Sequence, residues 1–193
     1  MGGGKVFELT QVILHEALDY NKDTGVFTWK SNRPLSHFKN AHALCAYQGK
    51  FSGKVAGYAS KYGEKDLYYL QIRIKGTLFL GHRLAWFYVE GVWPEKLIDH
   101  EDGNGLNNKW ENLREATPIS NGRNCGLSSN NKSGVNGVYW NKANSKWIAE
   151  GHYTEDGVHK KINLGSHLSL EDAEKARLKW QSEQGGFTER HGK

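Results

Sequence analysis

Cysteine is nearly absent: Cys45 and Cys125 are the only two in 193 residues, and no CxxC pair occurs. That excludes a disulfide framework and a cysteine zinc site, and it points to a reducing, intracellular setting. Long hydrophobic runs are absent too. No apolar stretch approaches the ~20 residues that a spanning helix needs, and the mean hydropathy of −0.72 argues against a membrane protein. The first residues, MGGGKVFELT, have no apolar stretch of the signal-peptide kind. Internal repeats are missing as well, which excludes repeat architectures.

What is present fits one medium domain or two small ones. Aromatics make up 12% of the chain, enough for a real core. The net charge is +5, but its distribution says more. Residues 1–98 hold thirteen Lys/Arg against eight Asp/Glu, residues 99–125 three against five, and residues 126–193 ten against eight. A locally acidic segment therefore sits between basic flanks. Basic flanks suit a polyanion. An acidic centre repels one unless a cation stands between them. Taken alone, the pattern fits ordinary surface charge better than a metal at a phosphate.

Helical spacing of Leu9, Ile13, Leu14, Ala17 and Leu18, with Thr10 as cap, predicts a first helix. Asp23–Gly25 breaks it, and Val26–Lys30 reads as a strand. Residues 31–66 are rich in Gly, Lys and His and resist assignment. Leu67–Ile74, a Lys-Gly turn and Thr77–Leu80 read as a β-hairpin. His82–Gly91 reads as a short buried helix ended by glycine. A loop and a short strand follow; then Thr117 and Pro118 open a helix that carries Asn121 in its first turn. Residues 125–133 are a polar, glycine-rich linker. Three strand-like runs and a helix capped by Ser169 and Asp172 complete the chain.

The loop after the buried helix, LIDHEDGNGLNNKWENL at Leu97–Leu113, holds more oxygen donors than any turn needs. Asp99 and His100 are adjacent there. Hydrolysis of a phosphodiester needs a base near neutral pH, for which His is suited. It also needs a hard cation held by oxygens. Neighbouring residues on a strand point to opposite faces, so a shared site requires a bend, which Gly103 and Gly105 permit. Asn107 and Asn108 read as loop-ordering residues. His82 is either a DNA contact or a packed helix start. Arg114 and Arg123 could touch phosphate, although a solvated face is the commoner role for one arginine. His37, His42 and Cys45 lie close together without other signs of a zinc site.

Residues 82–124, with HRLAW, DHEDGNGLNN, ENLREAT and SNGRN in that order, resemble the HNH nucleases with a ββα-metal finger, in particular phage and intron-encoded homing endonucleases. The resemblance implies that Asp99 binds the metal, His100 is the base, Asn112 braces the loop, and Asn121 completes the metal site. The separations of 13 and 22 residues from Asp99 suit one hairpin and the first turn of a helix. Asn121 stands where other members have His, which favours one Mg²⁺ or Mn²⁺ per finger over zinc.

Residues 133–180 resemble the Apetala-two/ethylene-response-factor DNA-binding domain through Gly137-Val138, Lys146-Trp147, Ala149-Glu150, Leu164-Gly165 and an alanine-containing helix. In that family a three-stranded sheet lies in the major groove, which admits a β-ribbon. The implied contacts are Asn136, Tyr139, Asn141, Glu150, His152, Lys161 and Asn163, with Arg123 added from the finger. Several of these are Arg or Trp in the plant proteins, so the sequence preference does not carry over.

The expected fold is α+β: a ββα-metal finger on a mixed N-terminal α+β region, plus a small three-stranded antiparallel sheet with one packing helix. Expected divisions are 5–66, 67–124, a linker at 125–133, and 134–183. The expected function is metal-dependent hydrolysis of double-stranded DNA at a long site by a homing endonuclease in a bacterial or phage-infected cell, leaving 5′-phosphate and 3′-hydroxyl. One finger per chain implies a monomer cutting one strand at a time; a double break needs a dimer or sequential nicks. The rival reading is a non-catalytic DNA-binding regulator with a relic finger, against which the intact Asp-His pair and Asn121 speak.

Overall fold

In the computed structural model, which describes residues 7–63 and 66–192, Thr10 caps helix α1 (Gln11–Ala17) by accepting from the Ile13 amide at 3.3 Å. The glycines at positions 2–4 lie outside the described residues. Leu18 does not continue the helix as its spacing predicts. It is extended and opens strand β1 (Leu18–Tyr20), which pairs antiparallel with β2 (Phe27–Trp29). Its side chain is buried either way, so apolar spacing alone could not tell the last helical turn from the strand. Asn21 builds the connecting turn, its Oδ1 accepting from the amides of Asp23 and Thr24.

The unassigned stretch contains helix α2 (Ala41–Phe51) and strand β3 (Tyr58–Lys61). Asn40 caps α2 through the Ala43 amide at 2.9 Å. Only Tyr47 of this helix is buried, which explains why its sequence shows no apolar stripe. The hairpin is present as β4 (Tyr68–Ile74) and β5 (Thr77–Leu80), turning through Lys75 and Gly76, both at positive φ. With β3 it makes a sheet of order β3-β4-β5. Helix α3 (Gly81–Glu90) ends at Gly91 in the left-handed conformation. Strands β6 (Leu97–His100) and β7 (Leu113–Ala116) pair, and α4 (Pro118–Arg123) follows. The ββα order of the finger is thus present in the chain.

Two compact units result, Met1–Glu115 and Ala116–Lys193. Leu14, Leu18, Phe27, Ile72, Ile74 and Leu84 lie fully buried in the core of the first. Burying each such side chain contributes about 1.5–3 kcal/mol. This core draws on residues from both sides of the division expected at 66/67, so the N-terminal helix and hairpin pack with the nuclease segment.

The second unit holds β8 (Val138–Asn141), β9 (Lys146–Glu155) and β10 (Val158–His167) as one antiparallel sheet, with helix α5 (Leu170–Gln184) packed on it. Val138 and Ala149 meet Ala173 in its core, with Trp147 and Leu164 beside them. A Cβ at position 151 would lie 2.6 Å from the Trp180 ring, so glycine there lets the helix approach. Among the described residues, no helix is long and apolar enough to cross a membrane.

Candidate active site

Strand β6 delivers Asp99 and His100 to its C-terminal end, where the chain turns through Gly103 at positive φ. The two side chains keep the alternation of the strand. Asp99 turns toward β7, where the Arg114 guanidinium donates twice to its Oδ2, from Nε at 3.2 Å and Nη2 at 2.9 Å. The third nitrogen of that fork donates to Glu101 at 3.0 Å. His100 turns inward, its ring 5.1 Å from that of His82 and 5.9 Å from that of Tyr69.

Asn112 ties the loop together. Its Nδ2 donates to Asp102 Oδ1 at 3.0 Å and to the Asn107 carbonyl at 2.8 Å, while its Oδ1 accepts from the Asp102 amide at 3.0 Å. One buried side chain thus fixes both ends of the turn. Asp102 also caps the Asn104 amide and accepts from Asn107. The surplus of asparagines is therefore spent largely on ordering the loop, each satisfying a backbone group that no strand partner reaches.

Asn108 is the residue whose importance the sequence understates. It is 1% exposed. Its Nδ2 donates to the Leu106 carbonyl at 3.2 Å, which can only accept. Its Oδ1 therefore faces His100 Nε2 at 3.3 Å, and that nitrogen carries the proton. A neutral His100 in this tautomer has Nδ1 as its proton acceptor. Burial lowers the His100 pKa, opposed by the Asn108 hydrogen bond and by the charges of Asp102 and Asp99.

The N-terminal hairpin sets where Asn108 sits. Tyr20 donates to the Asn108 carbonyl at 2.6 Å, and the Trp110 amide donates to the Lys22 carbonyl at 2.9 Å. Gly25, at φ +72°, comes so close that a Cβ would lie 2.4 Å from the Asn108 carbonyl carbon. On the other side, a Cβ at Gly105 would strike the Tyr68 carbonyl at 2.4 Å. No sequence spacing signals these contacts; those of the N-terminal hairpin join segments more than eighty residues apart.

His82 packs as a helix start. It is buried, its Nδ1 has no hydrogen-bond partner among the described residues, and desolvation pushes its pKa down to about 3. His37 is buried against Glu16 and Arg33, while Cys45 is exposed. Among the described residues no group of three or more His, Cys, Asp and Glu side chains is placed to hold a metal ion.

The remaining expected site residues lie in the second unit. Asn121 stands on α4, whose first turn is fixed by reciprocal hydrogen bonds of Thr117 and Ser120. Arg123 lays its guanidinium over the Phe187 ring at 5.0 Å. Asn136 precedes the sheet, its carbonyl accepting from the buried Arg177 at 2.9 Å. Val138 and Ala149 face α5, so alternation sends Tyr139, Asn141, Glu150 and His152 to the opposite face. Lys161 and Asn163 join them as register partners of His152 and Glu150. On that face Glu150 accepts from Tyr139 and from Lys161, both at 2.8 Å. Trp140 pairs with Trp147 and so lies on the α5 side.

The HNH endonuclease family model matches residues 80–123. Protein 3.8 of Escherichia phage T7 is 37% identical over 91 residues, which are 47% of this chain and 72% of that protein. No solved structure matches the chain. The chain belongs to the family of protein 3.8 of Escherichia phage T7 and carries an HNH endonuclease domain at residues 80–123.

Proposed function

We propose that the protein is a metal-dependent endodeoxyribonuclease of the homing type, acting in a phage-infected cell on a long duplex site. The observation that carries this reading is the buried His100, held by Asn108 in one tautomer beside Asp99 within the matched HNH segment. A buried imidazole needs a partner for its N–H in any role, so it is the Asp99-His100 sequence inside the matched HNH segment that favours a base over a packing residue.

Asp99 and Asn121 are the proposed ligands of one Mg²⁺ or Mn²⁺. Their donors are a carboxylate and an amide oxygen, a hard set that fits these ions and not zinc. The Arg114 fork on Asp99 Oδ2 fixes the carboxylate's orientation. When bound, the cation would offset charge on the phosphate and on the departing oxygen. His100 Nδ1 takes a proton from water, and the oxygen so activated attacks phosphorus in line. The 3′-oxygen leaves as the P–O bond breaks, giving 5′-phosphate and 3′-hydroxyl ends. Asn108 keeps the opposite ring nitrogen protonated throughout the transfer.

The sheet of the second unit is the proposed duplex reader, in the manner of the Apetala-type domain. What supports this is the shared face of Tyr139, Asn141, Glu150, His152, Lys161 and Asn163, away from α5. Lys161 suits a phosphate, whereas Asn141 and Asn163 suit adenine edges.

The test is relaxation of supercoiled DNA carrying a candidate target, with Mg²⁺, Mn²⁺ or EDTA, by wild type and His100→Ala. Metal-dependent nicking that the variant loses is the expected result. Binding without nicking across several targets would instead favour a DNA-binding regulator.

A further inference from the structure

Residues 30–75 carry nine Lys/Arg against two Asp/Glu, more positive charge than the whole chain nets. None of these residues takes part in the chemistry assigned to the finger. Around this stretch, β2, α2 and the β3–β4 strands line a groove of 390 Å³. Its walls are Trp29, Arg33, Tyr47, Phe51, Tyr58 and Arg73.

These walls combine two kinds of chemistry. Four are flat aromatic rings, and two of them stand open to solvent, Tyr58 at 51% and Phe51 at 41% exposure. The other two are guanidiniums. Arg33 is buried and held in place: its guanidinium lies 5.2, 4.9 and 4.6 Å from the Trp29, Phe38 and Tyr47 rings. Its Nε donates to His37 Nδ1 at 3.4 Å, and His37 Nε2 donates to Glu16 at 2.9 Å. Arg73 is exposed at the rim, steadied by the Gly76 carbonyl at 2.8 Å. Tyr58 is steadied in turn by Gln71, to which its hydroxyl donates at 3.2 Å.

We propose that this groove binds one unstacked nucleotide of a DNA strand, with the base against the Tyr58 and Phe51 rings and the phosphate on Arg73. Stacking on aromatic rings tolerates any base, and guanidinium supplies the anion contact. The surrounding positive charge draws in a polyanion and disfavours a cationic guest. The volume sits near the low end of ligand pockets, roughly 300–1,000 Å³, which suits one nucleotide and excludes a duplex. The proposal rests on the nuclease reading for the source of the strand, and it gives the N-terminal region a task of its own: holding a displaced nucleotide of the substrate.

The test is fluorescence anisotropy of a labelled single-stranded oligodeoxynucleotide in EDTA, with full-length wild type, Tyr58→Ala, Tyr58→Phe and Arg73→Ala. Plasmid nicking in Mg²⁺ is measured in parallel. Tyr58→Ala and Arg73→Ala each weaken strand binding roughly tenfold, whereas Tyr58→Phe keeps it. A free deoxynucleoside monophosphate competes only weakly. Equal binding by all four proteins overturns the groove as a strand site, even where nicking is intact. Competition by the monophosphate as effective as by the strand overturns it too, making the ligand a small molecule. Failure of wild type to nick any target, with strand binding still sensitive to Tyr58 and Arg73, sinks the nuclease reading and leaves the groove standing.

Discussion

His82 meets His100 edge to face, with ring centroids 5.1 Å apart and planes at 88°. A buried neutral imidazole thus forms one wall for the proposed base. Burial, with smaller effects from His100 and Arg83, takes the His82 pKa down to about 3. Below its ordinary value near 6.5, the unfolded chain takes up a proton that the folded chain refuses. Stability is therefore full above that pH and falls as the pH drops toward 3, by about 1.4 kcal/mol per unit from this group. His82→Phe keeps an aromatic wall and removes the proton. Urea unfolding at pH 7 and pH 5 should show a smaller acid loss in the variant than in wild type. An identical loss would mean that His82 is protonated in the folded protein.

Asn108→Ala removes the acceptor that fixes the His100 tautomer. The expected loss in nicking rate is roughly 10–100-fold, typical of outer-shell partners that orient a functional group. The ¹⁵N shifts of the His100 ring offer a direct readout. Wild type should show a protonated Nε2, and the variant a mixture of tautomers. A wild-type ring protonated on Nδ1 would rule out the proposed accepting atom.

Gly25 lies far from the finger in sequence but against Asn108 in space. Gly25→Ala must adopt positive φ and also displace the Asn108 backbone. The expected cost is at least ~2 kcal/mol of stability, with reduced nicking from a hairpin remote from the chemistry. Thermal melting and the nicking assay check both. Unchanged values would mean that the hairpin does not press on the loop in solution.

Arg114 joins Asp99 to Glu101. With Arg114→Ala the Asp99 carboxylate loses its orienting fork, and the Mg²⁺ concentration for half-maximal nicking should rise about tenfold. A fall in that concentration would show that the arginine competes with the cation for the carboxylate.

Local chemistry was legible wherever one residue type has one use. Thr10, Thr117 and Ser169 cap helices as their positions predict, because a side-chain oxygen there satisfies an orphan amide within three residues. Lys75-Gly76 turns the β4–β5 hairpin, because Gly76 takes a positive φ without steric cost between two runs of strand-type residues. Helix α2 was not legible, since it buries a single residue and so carries no period. Leu18 was misplaced because helix and strand both bury it.

The sequence by itself determined the α+β character, the order of the ββα segment, and the presence in one short segment of Asp99, His100 and Asn112. Those properties follow from neighbours within a few residues, whose spacing the chain cannot alter. The tertiary structure decided the tautomer of His100, the burial of His82 beside it, and the aromatic and arginine walls of the groove. Tyr20 and Gly25 from one hairpin, Tyr69 from β4 and His82 from α3 reach the loop from three separate places, because burying the shared apolar core pulls those segments together. A linear pattern records which side chains are available, but only packing fixes which polar atom is left facing which.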